Sequence, residues 1–444
     1  MMTNSQDHDI QTMLMNKQFK DAEKLAVAMV SRDPLHAQGW VFLGEALMLQ
    51  GYKETATRVF ERAQLMDPEA AWSEAVFHFL EKLKPDIPRY DIEMLLEVEP
   101  VTVSAAMIVR NEERSLARCL EQLQHAVDEI VIVDTGSTDG TVEIAKRYSK
   151  VRLFHSPWTD DFAAARNVSL QHVTSDWVIC VDADDYLFKA DCERIRLVAA
   201  LYHRSKNPAM LRVGRFHSWN GEQFVDYNEC RMFPMHYGIQ YKGKAHAYPS
   251  LPAGYAADEV YSGAVHIRFH HDGYEPEIVA EKDKLQTRLR QISVMLVEEP
   301  NNPIWWMFYG REIRLTGDDE KALEMLSKAD QLAEHQPGFG RRQEIWMLLA
   351  DLNMEKGELE QAREILMRAL QQNPDFPDAH YKLARIELEQ VKHCLQEAHD
   401  NLQRVLPRHA AYRGMIPADR NLEARTKHAL QDWELLVKGH RRSR

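Results

Sequence analysis

The chain has 444 residues, more than one hydrophobic core usually supports, so we expect two or three domains. Its 68 acidic and 55 basic residues give a formal net charge of -13, which argues against nucleic acid or an anionic membrane as the main partner. The five cysteines form no Cys-x-x-Cys pair, and no apolar run approaches membrane-spanning length. We therefore expect a cytoplasmic protein that is neither exported nor embedded.

The first elements predicted along the chain are helical repeats in residues 1–90. The spacing of a 34-residue tetratricopeptide unit is met by Trp40, Leu43, Gly44, Ala56, Phe60, Ala63 and Pro68. The alternative is a generic helical hairpin with coincidental spacing. Because such repeats need neighbours to bury their faces, we expect this pair to lean on the domain that follows.

A linker and then an α/β domain are predicted next. Pro85, Pro88 and Pro100 interrupt helical periodicity across residues 84–100, which indicates the linker. Between residues 101 and 187, short apolar runs alternate with amphipathic helical patterns, as in a buried parallel sheet. The predicted strands are 103–109, 130–133 and 177–181, and the predicted helices pass through Leu116 and through Val142 to Tyr148. Shorter strand-like pieces follow at 210–215, 230–234 and 264–270, within a domain of residues 101–275.

Helical patterns return in residues 280–440. A second clear repeat is formed by Trp346, Leu349, Ala350, Ala362, Leu366, Ala369 and Pro374, with Gly357 at the turn between its helices. Weaker units are predicted around 305–333 and 381–407. For these two, a generic hairpin is an equal alternative.

Two of the predicted parallel strands end in carboxylates. Asp134 closes one strand, and Asp182 and Asp184 follow another with the alternation that lets both face one side. Ligands of open α/β sheets bind at the carboxyl ends of the strands. Since Mg²⁺ takes one or two carboxylates and completes its shell with phosphates and water, the pattern predicts a divalent cation with a nucleoside diphosphate.

Four motifs in this region resemble glycosyltransferase family 2, the inverting enzymes of GT-A fold. They are residues 107–113, 133–141, 158–167 and 181–185. The resemblance covers about 101–274 and is nearest to a subgroup with tetratricopeptide repeats, which includes peptide S-glycosyltransferases of the sublancin type. It implies an α/β, GT-A-like nucleotide-diphospho-sugar transferase domain flanked by all-α repeat regions.

The resemblance also assigns roles to the residues of these motifs. Asp184 becomes the first choice as ligand of Mn²⁺ or Mg²⁺, and Asp182 binds ribose hydroxyls or shares the metal through water. Asp134 accepts the imide N–H of uracil, and the planar donors of Arg166 suit a phosphate. Glu112 lies on the same rim and is expected to take part in nucleotide binding.

The metal shell and the catalytic base are less determined. His271 stands in a His-x-Gly-Tyr pattern of the subgroup and is predicted to complete the metal shell, with chance as the competing explanation. His246-Ala247 stands where the subgroup usually has His-Glu, so a candidate base is missing. Asp226 is the predicted base and Glu229 the alternative, and either could have a structural hydrogen-bonding role instead.

Several neighbouring residues favour structural interpretations. Asp139 and Ser137 are predicted to be turn and N-cap groups. Asp185 is predicted to cap a helix rather than to be a third metal acid. Phe162 and Trp158 are expected in the core or in the wall of a sugar pocket.

Three functions remain in view. The first is a metal-dependent transfer of sugar from a UDP-sugar to a peptide or protein that the repeats recognise. The second is a surface-polysaccharide or lipopolysaccharide-core transferase, whose repeats serve assembly only. The third is a repeat scaffold that binds nucleotide without catalysis. The sequence leaves the sugar, the acceptor and homo-oligomerisation undetermined.

Overall fold

The computed structural model describes residues 3–219, 222–252, 254–255, 260–271, 281–336, 339–411, 425–431 and 433. The chain divides into two compact units, Met1–Met295 and Leu296–Arg444. The first unit contains the N-terminal helices and the sheet. The predicted domain boundaries, between residues 90 and 101 and between residues 275 and 280, stay predictions.

The N-terminal region is built of helices that pack in pairs. The helices are α1 (Thr3–Met15), α2 (Phe19–Arg32), α3 (Ala37–Leu49), α4 (Lys53–Met66) and α5 (Ser73–Lys82). Trp40, Leu43 and Phe60, which defined the repeat pattern, are all buried. A Cβ on Gly44 would lie 2.9 Å from the Phe60 ring, so glycine there permits the close approach of α3 and α4. The predicted repeat is confirmed.

The predicted linker at 84–100 contains a short ordered segment. It contains the short helix α6 (Tyr90–Glu93), continued by a 3-10 turn at Met94–Leu96. Ile92 and Leu96 are buried, and Arg62 of α4 donates to the Leu96 carbonyl at 2.5 Å. Two buried side chains thus anchor a turn that is too short to produce helical periodicity.

Four parallel strands in the order β3-β2-β1-β4 form one half of the sheet. The elements are β1 (Val103–Val109), α7 (Leu116–Ala126), β2 (Glu129–Asp134), α8 (Thr141–Ala145), β3 (Val151–His155), α9 (Phe162–Gln171) and β4 (Trp177–Cys180). The predicted parallel sheet is confirmed. β3 is an addition, because its half-exposed residues lack a continuous apolar run, and α8 ends before the predicted Tyr148.

The other half of the sheet is mainly antiparallel and continues from β4 in the order β8-β6-β11-β5, with β7 paired to β6. Its elements are β5 (Asp185–Leu187), α10 (Cys192–His203), β6 (Leu211–Trp219), β7 (Glu222–Asp226), β8 (Cys230–Pro234) and β11 (Ala264–His271). A separate two-stranded ribbon is formed by β9 (Gln240–Lys242) and β10 (Tyr248–Ser250). The three short strands predicted here are present, and β6 is longer than predicted.

The C-terminal helices are α11 (Glu281–Glu298), α12 (Pro303–Arg314), α13 (Asp319–Glu334), α14 (Arg342–Glu355), α15 (Leu359–Gln372) and α16 (Pro377–Ala411). The pairs α12/α13 and α14/α15 confirm the clear repeat and the weaker unit at 305–333. The predicted unit at 381–407 is wrong, since α16 is one continuous helix. Gly317 and Gly357 turn the two pairs at φ of +83° and +79°, and α16 has no glycine to make such a turn.

The described helices include none that combines the length and the apolar character needed to cross a bilayer.

Candidate functional site

The candidate site begins where three adjacent parallel strands end. In the sheet register Val109 of β1 is paired with Asp134 of β2, and Ala106 of β1 with Cys180 of β4. The strands are apolar and buried along their length. Asp134 and the acids that follow Cys180 therefore flank the end of β1, at the edge where ligands of such sheets bind.

Asp134 is a buried carboxylate with partners from its own loop and from β3. It accepts the backbone N–H groups of Gly136 at 3.2 Å and Ser137 at 3.1 Å, and its Oδ2 lies 3.3 Å from Nδ1 of His155. Burial alone would raise the pKa of Asp134, but hydrogen bonds from Ser137, His155 and Gly136 lower it overall. The carboxylate is thus held ionised, as an acceptor.

Asp182 is held between two guanidinium groups. Arg166 of α9 donates to Oδ1 at 2.8 Å, and Arg231 of β8 donates to Oδ2 at 2.8 Å. Burial would raise the pKa of Asp182, but the charges of Arg231, Arg166 and Arg215 hold it well below its usual range. This acid is therefore ionised and fixed in place.

Asp184 lies in a different environment, beside two further potential metal ligands. Ligand atoms of Asp184, Asp185 and His271 all lie within 4.8 Å of one another. Nδ1 of His271 is 2.9 Å from Oδ1 of Asp185 and 3.7 Å from Oδ1 of Asp184. Burial and the charges of Asp182, Asp185 and Glu112 raise the pKa of Asp184 to about 6, although His271 opposes the shift. A carboxylate destabilised by burial and by other acids is one that a cation would stabilise, so these three residues could hold a metal ion.

Asp185 does not cap a helix, and that prediction is wrong. It begins β5, which pairs with β11, and only 2% of the residue is exposed. Arg215 donates to its Oδ1 at 3.2 Å, and Arg231 donates to its Oδ2 at 3.3 Å. Pairing of β5 with β11, which is distant in the sequence, brings Asp185 into the sheet and close to His271. No local sequence pattern reveals such a pairing.

Glu112 and its neighbours in the first two motifs mostly hold the loops together. Glu112 accepts from Oγ of Ser115 at 2.7 Å, and its charge contributes to the raised pKa of Asp184. Asp139 accepts the backbone N–H and the hydroxyl of Thr141, while Oγ of Ser137 accepts the N–H of Asn111. Asp139 and Ser137 thus make hydrogen bonds within the loops, as predicted for turn groups, but the N-cap residue of α8 is Gly140. The sequence predicted only that Glu112 takes part in nucleotide binding, whereas its charge also acts on the pKa of Asp184.

Phe162 and Trp158 form an aromatic pair beside Arg166. Their ring centroids lie 4.7 Å apart in an edge-to-face arrangement, and Phe162 is 39% exposed. Phe162 is therefore not a core residue, and the pocket-wall interpretation stays a prediction. Phe162 precedes Arg166 by four residues on α9, so the two side chains share one helix face.

Asp226 reaches the acidic cluster through a histidine. Its Oδ2 lies 2.6 Å from Nε2 of His217, and its Oδ1 accepts the N–H of Asn228 at 3.2 Å. The His217 ring is 5.3 Å from the ring of His271. Burial would raise the pKa of Asp226, but the hydrogen bonds from His217 and Asn228 lower it. Asp226 is thus firmly hydrogen-bonded, and its side chain is still 25% exposed.

Sequence reasoning missed Arg215, His217 and Arg231 as site residues. Arg215 and His217 lie two apart on β6 and so share one face of the sheet. Arg231 is the charged residue of the otherwise apolar strand Cys230–Pro234, and it is 5% exposed. A lone arginine in a buried strand must find anionic partners, and that signal was available in the sequence.

Known proteins resemble two parts of this chain. Residues 104–229 match a family model described as glycosyl transferase family 2, and residues 314–386 match a tetratricopeptide repeat model. The glycosyltransferase SunS of Bacillus subtilis (strain 168) is 30% identical over 51% of this chain and 53% of its own length. The lipopolysaccharide core biosynthesis glycosyltransferase LpsC of Rhizobium meliloti is 36% identical over 21% of this chain and 35% of its own length.

A TPR repeat-containing protein of Synechococcus elongatus is 44% identical over 21% of this chain and 23% of its own length. The chain thus spans about half the length of SunS and smaller parts of the other two relatives.

Proposed function

We propose that the chain transfers a sugar, with inversion, from a UDP-linked nucleotide donor to a peptide or protein. Residues 104–229 match glycosyl transferase family 2, and the chain joins this α/β, GT-A-like region to tetratricopeptide repeats. The observation that carries the proposal is the placement of Asp182 and the Asp184, Asp185 and His271 cluster at the end of β4 in this domain. A reducing cytoplasm, predicted from the cysteine pattern, suits the five free thiols.

Asp184, Asp185 and His271 would hold the divalent cation. Its charge would stabilise the nucleoside diphosphate that leaves the sugar. His271 would then have the place in this shell that the sequence predicted for it, and Asp185 would take the third position. Gly273 and Tyr274 of the same motif lie outside the described residues.

The donor would be bound by residues on both sides of this cluster. Asp134 would accept from the base, and Asp182 would accept from ribose hydroxyls on its exposed side. Arg166 uses one Nη on Asp182, and its guanidinium carbon lies 5.3 Å from the centroid of the Tyr241 ring. Its remaining N–H groups would serve the phosphates. Glu112 would act at this rim through its negative charge, which contributes to the raised pKa of Asp184.

Asp226 would accept the acceptor's proton if the nucleophile is a hydroxyl. It is a carboxylate with a lowered pKa and a partly exposed side chain, so it is ionised and accessible at neutral pH. Proton transfer from a hydroxyl to such a weak base is effective only in the transition state, where the hydroxyl becomes acidic.

The acceptor class rests on the repeats and on the resemblance to peptide S-glycosyltransferases. Stacked helical pairs form extended surfaces suited to a chain. The likeness to LpsC favours a second candidate, transfer to a lipopolysaccharide core. A chain ending at residue 295, the boundary of the first compact unit, separates the two. If the repeats bind a peptide, this chain keeps donor hydrolysis and loses transfer to the peptide; full transfer to a saccharide acceptor by the shortened chain favours the second candidate.

The donor proposal is tested with purified protein, Mn²⁺ and a panel of nucleotide sugars, by following donor hydrolysis and thermal stability. A donor that binds the folded state raises the melting temperature. Asp134→Ala should weaken UDP binding in calorimetry, whereas Asp226→Asn should lower turnover and keep UDP affinity. Glu143→Gln, at a carboxylate that is 65% exposed on α8, is the matched control and should change neither. If no nucleotide sugar stabilises the protein or is turned over, the proposed function is wrong.

A further inference from the structure

We infer that His217 is a positioning residue that holds the carboxylate of Asp226 in the orientation needed to take the acceptor's proton. The inference rests on the proposed function, in which Asp226 is the base. His217 does not itself contact substrate in this scheme. It acts by donating the Nε2 hydrogen to Oδ2 of Asp226.

The sheet register brings the two residues together. His217 of β6 is paired with His271 of β11, and Arg215 of β6 is paired with Asp226 of β7. Because Arg215 and His217 share a face, Asp226 lies diagonally across from His217, within side-chain reach. The 2.6 Å contact between Nε2 and Oδ2 closes this diagonal.

The imidazole ring is fixed by packing, so it can act as a rigid anchor. His217 is 3% exposed, and its ring stacks on Phe224 at 5.0 Å with an interplanar angle of 25°. On another side it meets the ring of His271 edge to face, at 72°. A ring held on two sides keeps its Nε2 atom in one place.

Asp226, in contrast, needs an anchor. It is the last residue of β7, a strand that pairs with β6 and lies outside the main order of strands in the sheet. Its side chain is 25% exposed, so without partners it would rotate freely in solvent. His217 binds Oδ2 and the Asn228 N–H binds Oδ1, which together define the plane of the carboxylate. Reactive groups misplaced by about 1 Å can lose about 100-fold in rate, so a fixed plane matters.

In the transfer step that this arrangement serves, two bonds form and two bonds break. The acceptor hydroxyl gives its proton to Asp226 and its oxygen bonds to the anomeric carbon. The bond from that carbon to the diphosphate oxygen breaks, and its electron pair leaves with the nucleoside diphosphate. His217 keeps its Nε2 proton throughout.

Two substitutions separate the hydrogen bond from the packing. His217→Phe keeps an aromatic ring against Phe224 but removes the donor, and His217→Gln keeps a donor near the position of Nε2. We expect His217→Phe to lower kcat by about 10- to 100-fold with little change in the donor KM. His217→Gln should recover most of the loss. Thermal melting and Mn²⁺ titration of each variant check that the fold and the acidic cluster are unchanged.

A double-mutant cycle with Asp226→Asn shows whether His217 acts through Asp226. In the Asp226→Asn background, His217→Phe should lower kcat by less than about twofold, because the group it positions is already gone. Independent, multiplicative losses would overturn the inference, as would a His217→Phe variant with wild-type kcat. A loss that follows weakened Mn²⁺ activation would assign His217 to His271 instead and overturn it too.

Transfer by the wild type distinguishes failure of the proposed function from failure of the role inferred for His217. Absence of transfer by the wild type with every donor overturns the proposed function and this inference with it. Transfer by the wild type together with an unaffected His217→Phe variant overturns the inference alone.

Discussion

The two halves of the sheet solve different problems. The parallel half, β3-β2-β1-β4, has apolar strands buried between layers, and its carboxylates lie mainly at strand ends. The antiparallel half places charged and imidazole side chains inside its strands. Among these are Asp185, Arg212, Arg215, His217, Arg231, His266, Arg268 and His271.

The candidate site needs both halves. Asp134 and Asp182 follow strands of the parallel half, while Arg231 and Arg215 come from the antiparallel half and neutralise part of the acidic charge. A strand interior holds a side chain more rigidly than a loop does, and each buried charge there requires a partner. The difference teaches that one half is held mainly by apolar packing, whereas the other also carries positioned charges that depend on one another.

The largest effect is expected when Arg231, the arginine of the antiparallel half that several acids contact, is replaced. Arg231→Leu leaves Asp182, Asp185 and Glu229 without the guanidinium that all three contact. We expect a loss of about 3–5 kcal/mol in the free energy of unfolding, measured by urea denaturation at pH 7.5. Arg231→Lys should recover part of it. An unchanged urea midpoint for Arg231→Leu would show that these acids do not depend on Arg231.

A cavity in the parallel half should be nearly as costly and should not depend on pH. Ile132 of β2 is fully buried, so Ile132→Ala is expected to cost about 2–4 kcal/mol. The same cost at pH 5 and pH 8 is predicted, since no titrating group is involved. A marked pH dependence would mean that the two halves are less distinct than the structure indicates.

Replacing Asp184 should increase the free energy of unfolding, whereas the two substitutions above lower it. Its folded-state pKa is raised to about 6, so its ionised form destabilises the fold above that pH, and the stability present at low pH is lost as pH rises through 6. Asp184→Asn should therefore increase the free energy of unfolding at pH 8 without metal, by roughly 1–2 kcal/mol, and give little gain below the unfolded pKa, near pH 3.5. It should also remove stabilisation by Mn²⁺. A destabilised variant at pH 8 would contradict this account of the cluster.

Glu129, the first residue of β2, tests a charged group of the parallel half, and the expected effect is the smallest. Burial would raise the pKa of Glu129, but hydrogen bonds from Ser104, Thr174 and Arg152 lower it to about 2. Such an acid contributes stability above its unfolded pKa and loses it as pH falls toward 2. Glu129→Gln should cost about 1 kcal/mol at pH 7 and almost nothing near pH 2. An equal cost at both values would assign the effect to packing rather than to charge.

The sequence by itself determined the features that depend on neighbouring residues. Apolar runs predicted β1, β2 and β4, and repeat spacing predicted the helix pairs that Gly44 and Gly357 make possible. The acids at the ends of β2 and β4 were found in the same way, since a strand end is a local signal.

Tertiary structure alone decided which residues meet across the sheet. Asp185 lies 86 residues from His271 in the chain and 46 from Arg231, and neither spacing corresponds to a local period. The contact of Asp226 with His217 depends on the register between β6 and β7, which a shift of one residue would abolish. Local pattern specifies which face of a strand a side chain occupies, but its partner is set by how distant strands pair, and that pairing is the outcome of packing the whole chain.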